Sequence, residues 1–160
     1  MNIAYNVASM SHCVKRKIGA ILVKDGRVLS MGWNGMPAGW HNKCEKSPTE
    51  TRLEVLHAET NMIAKIARSN ESAAGAIVYS TYLPCIECAK MLYQSGIVVI
   101  YYSEYKTGDH NISGIKFLRK CRVPVIRIKM KNVQNNKNQE EINVVSTRAR
   151  NQHKKTNNNI

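Results

Sequence analysis

One histidine and two cysteines, at a spacing suited to a single ion, constrain this chain more than any other feature. His57-Ala58-Glu59 is followed, after 24 residues, by Pro84-Cys85-Ile86-Glu87-Cys88. An imidazole and two thiolates are strong zinc ligands, and a set of three leaves the fourth tetrahedral position open to water. That opening separates a catalytic zinc from a closed structural one. Cys85 and Cys88 fall at i and i+3 at a helix start, on one face, where the helix N-terminus favours ionised thiols. His57 begins another helix, so two helix N-termini would converge on one ion. Glu59 points away from the ligand direction yet remains at the metal, where a carboxylate can shuttle protons to and from a water. A structural zinc knuckle with an incidental glutamate is the competing reading. It would want a fourth ligand at similar spacing, and none lies near.

The residues around this pattern set out a tight succession of elements. Ile3 to His12 reads as the end of a helix, with Ile3, Val7 and Met10 on one face. Ile18–Val23 and Arg27–Trp33 are β-rich runs joined at Asp25-Gly26, a strong hairpin signal. A loop runs from Asn34 to about Arg52. His57–Arg68 reads as a helix, Ala76–Thr81 as a strand and Pro84–Ser95 as a helix. Ile97–Ser103 is an apolar run continuous enough for a strand buried on both faces. Ile112–Arg122 is a helix and Val123–Lys129 the last strand. Strands joined through helices run parallel with right-handed crossovers. The expected architecture is therefore α/β: a mixed five-stranded sheet with an antiparallel β1-β2 hairpin, parallel β3-β4-β5 and helices on both faces.

A break falls near Met130. Residues 131–160 hold nine Asn and only six apolar side chains, Val133, Ile142, Val144, Val145, Ala149 and Ile160. Such a segment cannot offset its ordering entropy, so 1–130 is expected to be the folded domain and 131–160 a polar, basic, largely disordered tail. Within the tail, Ile142–Arg150 could form a short helix. Lys and Arg number 24 against 11 Asp and Glu, for a net charge of +13. The excess is spread, 18 against 9 through Met130 and 6 against 2 beyond it. Such a balance attracts phosphates, on free nucleotides or on nucleic acid. A solvated basic surface without a dedicated partner is the plainer alternative, and composition does not separate them. Five cysteines with no export signal favour metal or catalytic thiols over a disulfide framework. With no apolar run of about 20 residues either, a cytoplasmic protein without a membrane partner is expected.

A second motif, Gly32-Trp33-Asn34-Gly35-Met36-Pro37-Ala38-Gly39, follows the hairpin. Its glycines allow close backbone approach to a ligand, and Asn34 offers both a donor and an acceptor. Taken with the His-x-Glu and Pro-Cys-x-x-Cys pattern of zinc nucleobase deaminases, it makes the chain resemble the deoxycytidylate (dCMP) deaminases of the zinc-dependent cytidine deaminase superfamily. The resemblance runs from about Ile3 to Ile128. It takes in Ser11-His12-Cys13, Lys17-Ile18-Gly19-Ala20-Ile21-Leu22-Val23, His57-Ala58-Glu59-Thr60-Asn61, Tyr79-Ser80-Thr81 and Pro84-Cys85-Ile86-Glu87-Cys88-Ala89-Lys90. The zinc pattern marks the superfamily; the Gly-x-Asn-Gly turn marks its nucleotide-specific branch.

The resemblance implies a three-layer α/β/α fold and hydrolytic deamination of dCMP to dUMP with release of ammonia. It implies one catalytic Zn2+ held by His57, Cys85 and Cys88, with Glu59 as proton shuttle. Asn34 would contact the deoxyribose hydroxyl, the Ala58 backbone N–H the pyrimidine carbonyl, and Tyr105 would stack on the base. Gly32, Trp33, Asn34 and Gly35 would belong to an effector site for dCTP or dTTP, with Mg2+ on the triphosphate. Trp33 stands where such enzymes carry Tyr, which keeps an aromatic face but changes the polar tip. The partners implied are nucleotides and further copies of the chain in a hexamer, without a dedicated nucleic acid. Cys13 and Cys44 occupy places where some phage relatives bind a second, structural zinc. The histidine-bearing insertion those relatives use is absent, leaving His12, His41 and His110 as candidate partners. Lys15, Arg16 and Lys17 suit either a triphosphate or the capping of a turn. Two other functions compete: a tRNA adenosine deaminase, which shares the zinc pattern, and a non-catalytic nucleotide-binding or nucleic-acid-binding module. The length of the stretch 35–56 favours the nucleotide enzyme over the first, and the intact Glu59 counts against the second.

Overall fold

Asp25 and Gly26 reverse the chain with φ of 50° and 73°, the positive values that a two-residue type I′ turn requires. They join β1 (Gly19–Lys24) to β2 (Arg27–Trp33) as the expected antiparallel hairpin. On its other edge β1 pairs antiparallel with β3 (Ile77–Tyr82), and β3, β4 (Val99–Glu104) and β5 (Val125–Arg127) run parallel. The sheet order is β2-β1-β3-β4-β5. This computed structural model describes residues 1–106 and 112–130. The tail 131–160, its short helix and His110 lie outside the described residues. Among the described residues no helix is long and apolar enough to cross a membrane.

Three helices, α2 (Ala58–Ile66), α3 (Ile86–Gln94) and α4 (Ile112–Lys120), cover one sheet face. The main core lies beneath them and includes Leu22, Met62, Val78, Leu92, Ile100 and Leu118, all buried. The opposite face carries α1 (Asn2–Ser9), which packs on β1, β2 and β3 through Ala4, Val7 and Ile21. Here the structure corrects two expectations. The buried face of α1 is Ala4, Val7 and Ala8, whereas Ile3 and Met10 are each 50% exposed. The reason is distance: α1 lies so close to β1 that a Cβ on Gly19 would meet the backbone of Ala4 and Ala8, so only small residues fit the contact. Strand β4 is fully buried on one face only. Ile100 and Tyr102 are buried, but on the other face Val99 and Tyr101 are only partly buried, and α1 reaches that face through Tyr5, whose hydroxyl bonds Ser103 and Glu104. Tyr101 stacks instead on Tyr79, with ring centroids 4.9 Å apart.

The approach of α2 to β2 is equally close. A Cβ on Gly32 would meet the Ala58 carbonyl oxygen and lie 2.5 Å from the Met62 nitrogen. Both are backbone atoms of a packed helix and cannot rotate away. Gly32→Ala is expected to destabilise the protein by about 3 kcal/mol, at the upper end of the usual overpacking range. A thermal melt should register a fall of roughly 10 °C. A melting temperature unchanged by the substitution would mean that β2 and α2 are not so closely joined.

Candidate active site

The sheet brings two helix starts together at one edge. His57 is the N-cap of α2 and Cys85 the N-cap of α3, both with extended backbone (ψ 157° and 172°). An N-cap side chain projects across the open first turn of its helix, so both reach the same space. Cys88 lies one turn into α3, and its backbone N–H points to the Cys85 sulfur at 3.5 Å. His57 Nδ1 is 3.4 Å from Cys85 Sγ and 3.4 Å from Cys88 Sγ. All three ligand atoms lie within 4.8 Å of one another. Tetrahedral zinc with N and S ligands at about 2.1 and 2.3 Å separates neighbouring ligands by ~3.6 Å, so the donor set fits in both chemistry and size. Thr60 Oγ1 adds a contact of 3.8 Å to Cys88 Sγ.

The electrostatics of the cluster suit a cation. The Cys88 thiol beside Cys85, with further help from His57, lowers the Cys85 pKa to about 4. Cys88 moves the other way, because it is the hydrogen-bond donor of the pair and is buried. The pair thus shares one proton, with the negative charge on Cys85. The hydrogen bond to Cys85, and to a lesser degree its charge, raises the pKa of His57 against the opposing effect of burial.

Glu59 occupies the first turn of α2 and is only 3% exposed. Its carboxylate takes a hydrogen bond from the Ser80 hydroxyl (3.1 Å) and another from its own backbone N–H. Burial raises its pKa, and these donors partly offset the rise. Glu59, His57 and Cys85 line an open pocket of about 360 Å³. Ala58 is the first residue of α2, a position whose N–H has no acceptor within the helix.

Asn34 also lines the pocket and is buried. Its amide holds the chain before β1: the oxygen accepts from Ile18 N at 2.7 Å, and the nitrogen donates to Arg16 O at 2.9 Å. One N–H and one lone pair remain for a ligand. The turn that contains it ties the end of β2 to the start of α2, since Gly35 and Leu56 exchange two backbone hydrogen bonds. Trp33 packs against the Ala4, Val7 and Ile21 cluster on the α1 side, while Lys65 Nζ reaches to 4.3 Å from its ring centroid and Asn61 donates to its carbonyl. Tyr105 stands apart from the pocket residues. It is 45% exposed, and the Arg127 guanidinium lies 4.6 Å from its ring centroid.

Of Lys15, Arg16 and Lys17, which the sequence offers to a triphosphate or to a turn cap, the first two line the pocket. The Arg16 guanidinium lies 3.9 Å from the Tyr82 ring centroid. Glu45, 30 residues further along, accepts from Val14 N and Lys15 N at 2.9 and 3.1 Å and holds their segment in place. Nothing in the local sequence marks Glu45 or Tyr82 for these contacts. Cys13 and Cys44 are buried side by side, and burial with the neighbouring Cys13 thiol pushes Cys44 up to about 12. Neither His12 nor His41 completes a ligand set there; among the described residues His57, Cys85 and Cys88 form the only group of three.

Fold and site together define a zinc-binding deaminase domain. The chain belongs to the cytidine and deoxycytidylate deaminase family, whose zinc-binding region matches residues 1–104. Within the family, its relatives include the deoxycytidylate deaminase of enterobacteria phage T4, 32% identical over an alignment covering 89% of this chain and 94% of that one. The deoxycytidylate deaminase of phage T2 is 31% identical, covering 84% and 93%. Among solved structures, the dCMP deaminase of cyanophage S-TIM5 in complex with dCMP and dUMP matches with a TM-score of 0.74 and 40% identity, covering 79% of this chain and 92% of that one.

Proposed function

We propose that this protein is a deoxycytidylate deaminase, converting dCMP and water to dUMP and ammonia. The carrying observation is that His57 and Cys85 of the three-ligand cluster, the buried Glu59 and the cationic Lys15–Arg16 segment line one pocket. Relatives named for this activity cover nearly the whole of their own length. The tRNA A34 deaminase structure, at 23% identity, shares the fold alone.

His57 Nδ1, Cys85 Sγ and Cys88 Sγ would hold the zinc, which supplies Lewis acidity that makes a water nucleophilic near neutral pH. Glu59 then does the proton work. It accepts a proton from the attacking water and delivers one to the ring nitrogen beside the reacting carbon. As the C–N bond breaks, it takes up the second proton of that water, now on the hydroxyl of the reacting carbon, and passes it to the departing amine, leaving the carbonyl of dUMP and ammonia. The Ala58 N–H faces the pyrimidine carbonyl, and the spare hydrogen-bonding capacity of Asn34 meets the deoxyribose hydroxyl. Tyr105 would have to turn from Arg127 to stack on the base. Effector control by dCTP or dTTP at Gly32–Gly35, Mg2+ on the triphosphate, homo-oligomer assembly and a separate tail from residue 131 belong to the same proposal, supported by resemblance and composition.

Lys15 and Arg16 are the groups we assign to the 5′-phosphate. Their segment is anchored by Glu45 on one side and Asn34 on the other, and Tyr82 holds the Arg16 guanidinium at the pocket wall. Arg16→Ala is expected to raise KM for dCMP about tenfold or more, the effect of losing one charge-assisted hydrogen bond. Turnover at saturation should change little, and the slower reaction of deoxycytidine not at all. A parallel assay of dCMP, deoxycytidine, dCTP and a tRNA anticodon arm tests the substrate itself. A preference for deoxycytidine or for tRNA would overturn the proposal.

A further inference from the structure

The face of β3 that carries Ser80 belongs to the apolar core. Ser80 pairs across the sheet with Ala20 of β1 and Tyr102 of β4, and Val78 precedes it on the same side. Each of these neighbours is buried, and Ser80 itself is 0% exposed. A hydroxyl placed there is costly unless it has a partner. Among the described residues its hydrogen bond is the one to Glu59 Oε1, at 3.1 Å.

We infer that Ser80 is a positioning residue for the deaminase reaction, fixing the plane of the Glu59 carboxylate so that it can serve two proton-transfer sites. This rests on the shuttle role proposed for Glu59. The terminal torsion of a glutamate is broad and roughly two-fold, so rotamer preference alone does not set the carboxylate plane. The second donor, the Glu59 backbone N–H, belongs to the same residue and moves with α2. Ser80 ties the carboxylate instead to the central sheet. A proton shuttle must serve the attacking water, the ring nitrogen and the leaving amine in turn, and small misplacements of such a group are expensive in rate. Ser80 does not line the pocket; its effect passes through Glu59.

The test compares the full-length wild type with Ser80→Ala and Ser80→Thr, each with its zinc content measured. Ser80→Ala removes the hydroxyl with little change in volume. We expect kcat for dCMP to fall about tenfold, with KM within about twofold and one zinc per chain retained. Affinity for a hydrated-pyrimidine nucleotide analogue, which carries a hydroxyl on the reacting carbon, should fall by a similar factor, while affinity for dUMP stays unchanged. Ser80→Thr keeps the donor and should recover most of the lost turnover. Wild-type kcat in Ser80→Ala would overturn the inference. So would a loss shared equally by kcat, zinc content and dUMP affinity, because that would mark a purely structural role. If the wild type preferred another aminopyrimidine nucleotide, the substrate assignment would fail, and the same comparison on that nucleotide would still decide the role of Ser80.

Discussion

Replacing Glu59 with glutamine is expected to leave one zinc per chain and a folded protein, while dCMP turnover falls by 10²–10⁴-fold, the usual worth of a positioned general acid–base. Glu59 is not among the three clustered ligand atoms, so the metal has no reason to leave. The amide oxygen of glutamine can still accept from Ser80, so the buried hydroxyl keeps its partner. Glu59→Ala should lose turnover equally, but it strands that hydroxyl in the core at a cost of about 1–3 kcal/mol. The two substitutions therefore separate chemistry from stability: both are inactive, and only the alanine protein melts early. Zinc analysis, a thermal melt and the absorbance change from dCMP to dUMP suffice to check this. An active Glu59→Gln protein would rule out the proposed mechanism.

Removing a ligand should have the opposite signature. Cys85→Ala is expected to lose zinc and activity together, with metal affinity reduced by more than the 10–100-fold typical of losing a residue that only hydrogen-bonds a metal ligand. Cys85 carries the negative charge that the Cys88 thiol and the His57 ring surround, so its loss also unmakes the electrostatics of the cluster. The intact site should depend on pH in a definite direction. Cys88 holds its proton and the His57 pKa is raised, so zinc must displace protons to bind. Its apparent affinity should therefore rise with pH, by about tenfold per unit for each proton released. Competition against a chromophoric chelator between pH 6 and 8 measures that slope. A flat profile, or a Cys85→Ala protein that keeps its zinc, would show that these residues do not hold the metal.

Much of this was legible along the chain because the information is local. His57, Cys85 and Cys88 each stand at or within a turn of a helix start, and the sequence marks those starts. Asp25-Gly26 specifies a hairpin by backbone sterics alone, and alternation of strands with helices after residue 57 requires a parallel sheet. Other expectations failed for an equally physical reason. Periodicity nominated Ile3 and Met10 for burial, but the distance between α1 and Gly19 selects for small side chains instead. The run from Ile97 to Tyr102 is apolar, yet Val99 and Tyr101 stay partly exposed, because what packs on each face of a strand is set by separate elements.

The sequence by itself determined the class of chemistry, because ligand identity, ligand number and a neighbouring carboxylate are written in residue types and short spacings. It also determined the antiparallel β1-β2 hairpin and the parallel direction of β3, β4 and β5, but not the sheet order, in which β1 pairs antiparallel with β3. The tertiary structure alone decided which distant groups serve the site. Glu45 reaches Val14 and Lys15 across 30 residues, Ser80 reaches Glu59 across 21, and Arg16 meets Tyr82 across the pocket wall. These contacts depend on strand register and loop closure, which shift side chains between faces and between partners. No local pattern encodes them, since a serine in a strand or a glutamate in a loop becomes a partner only when the rest of the chain has folded around it.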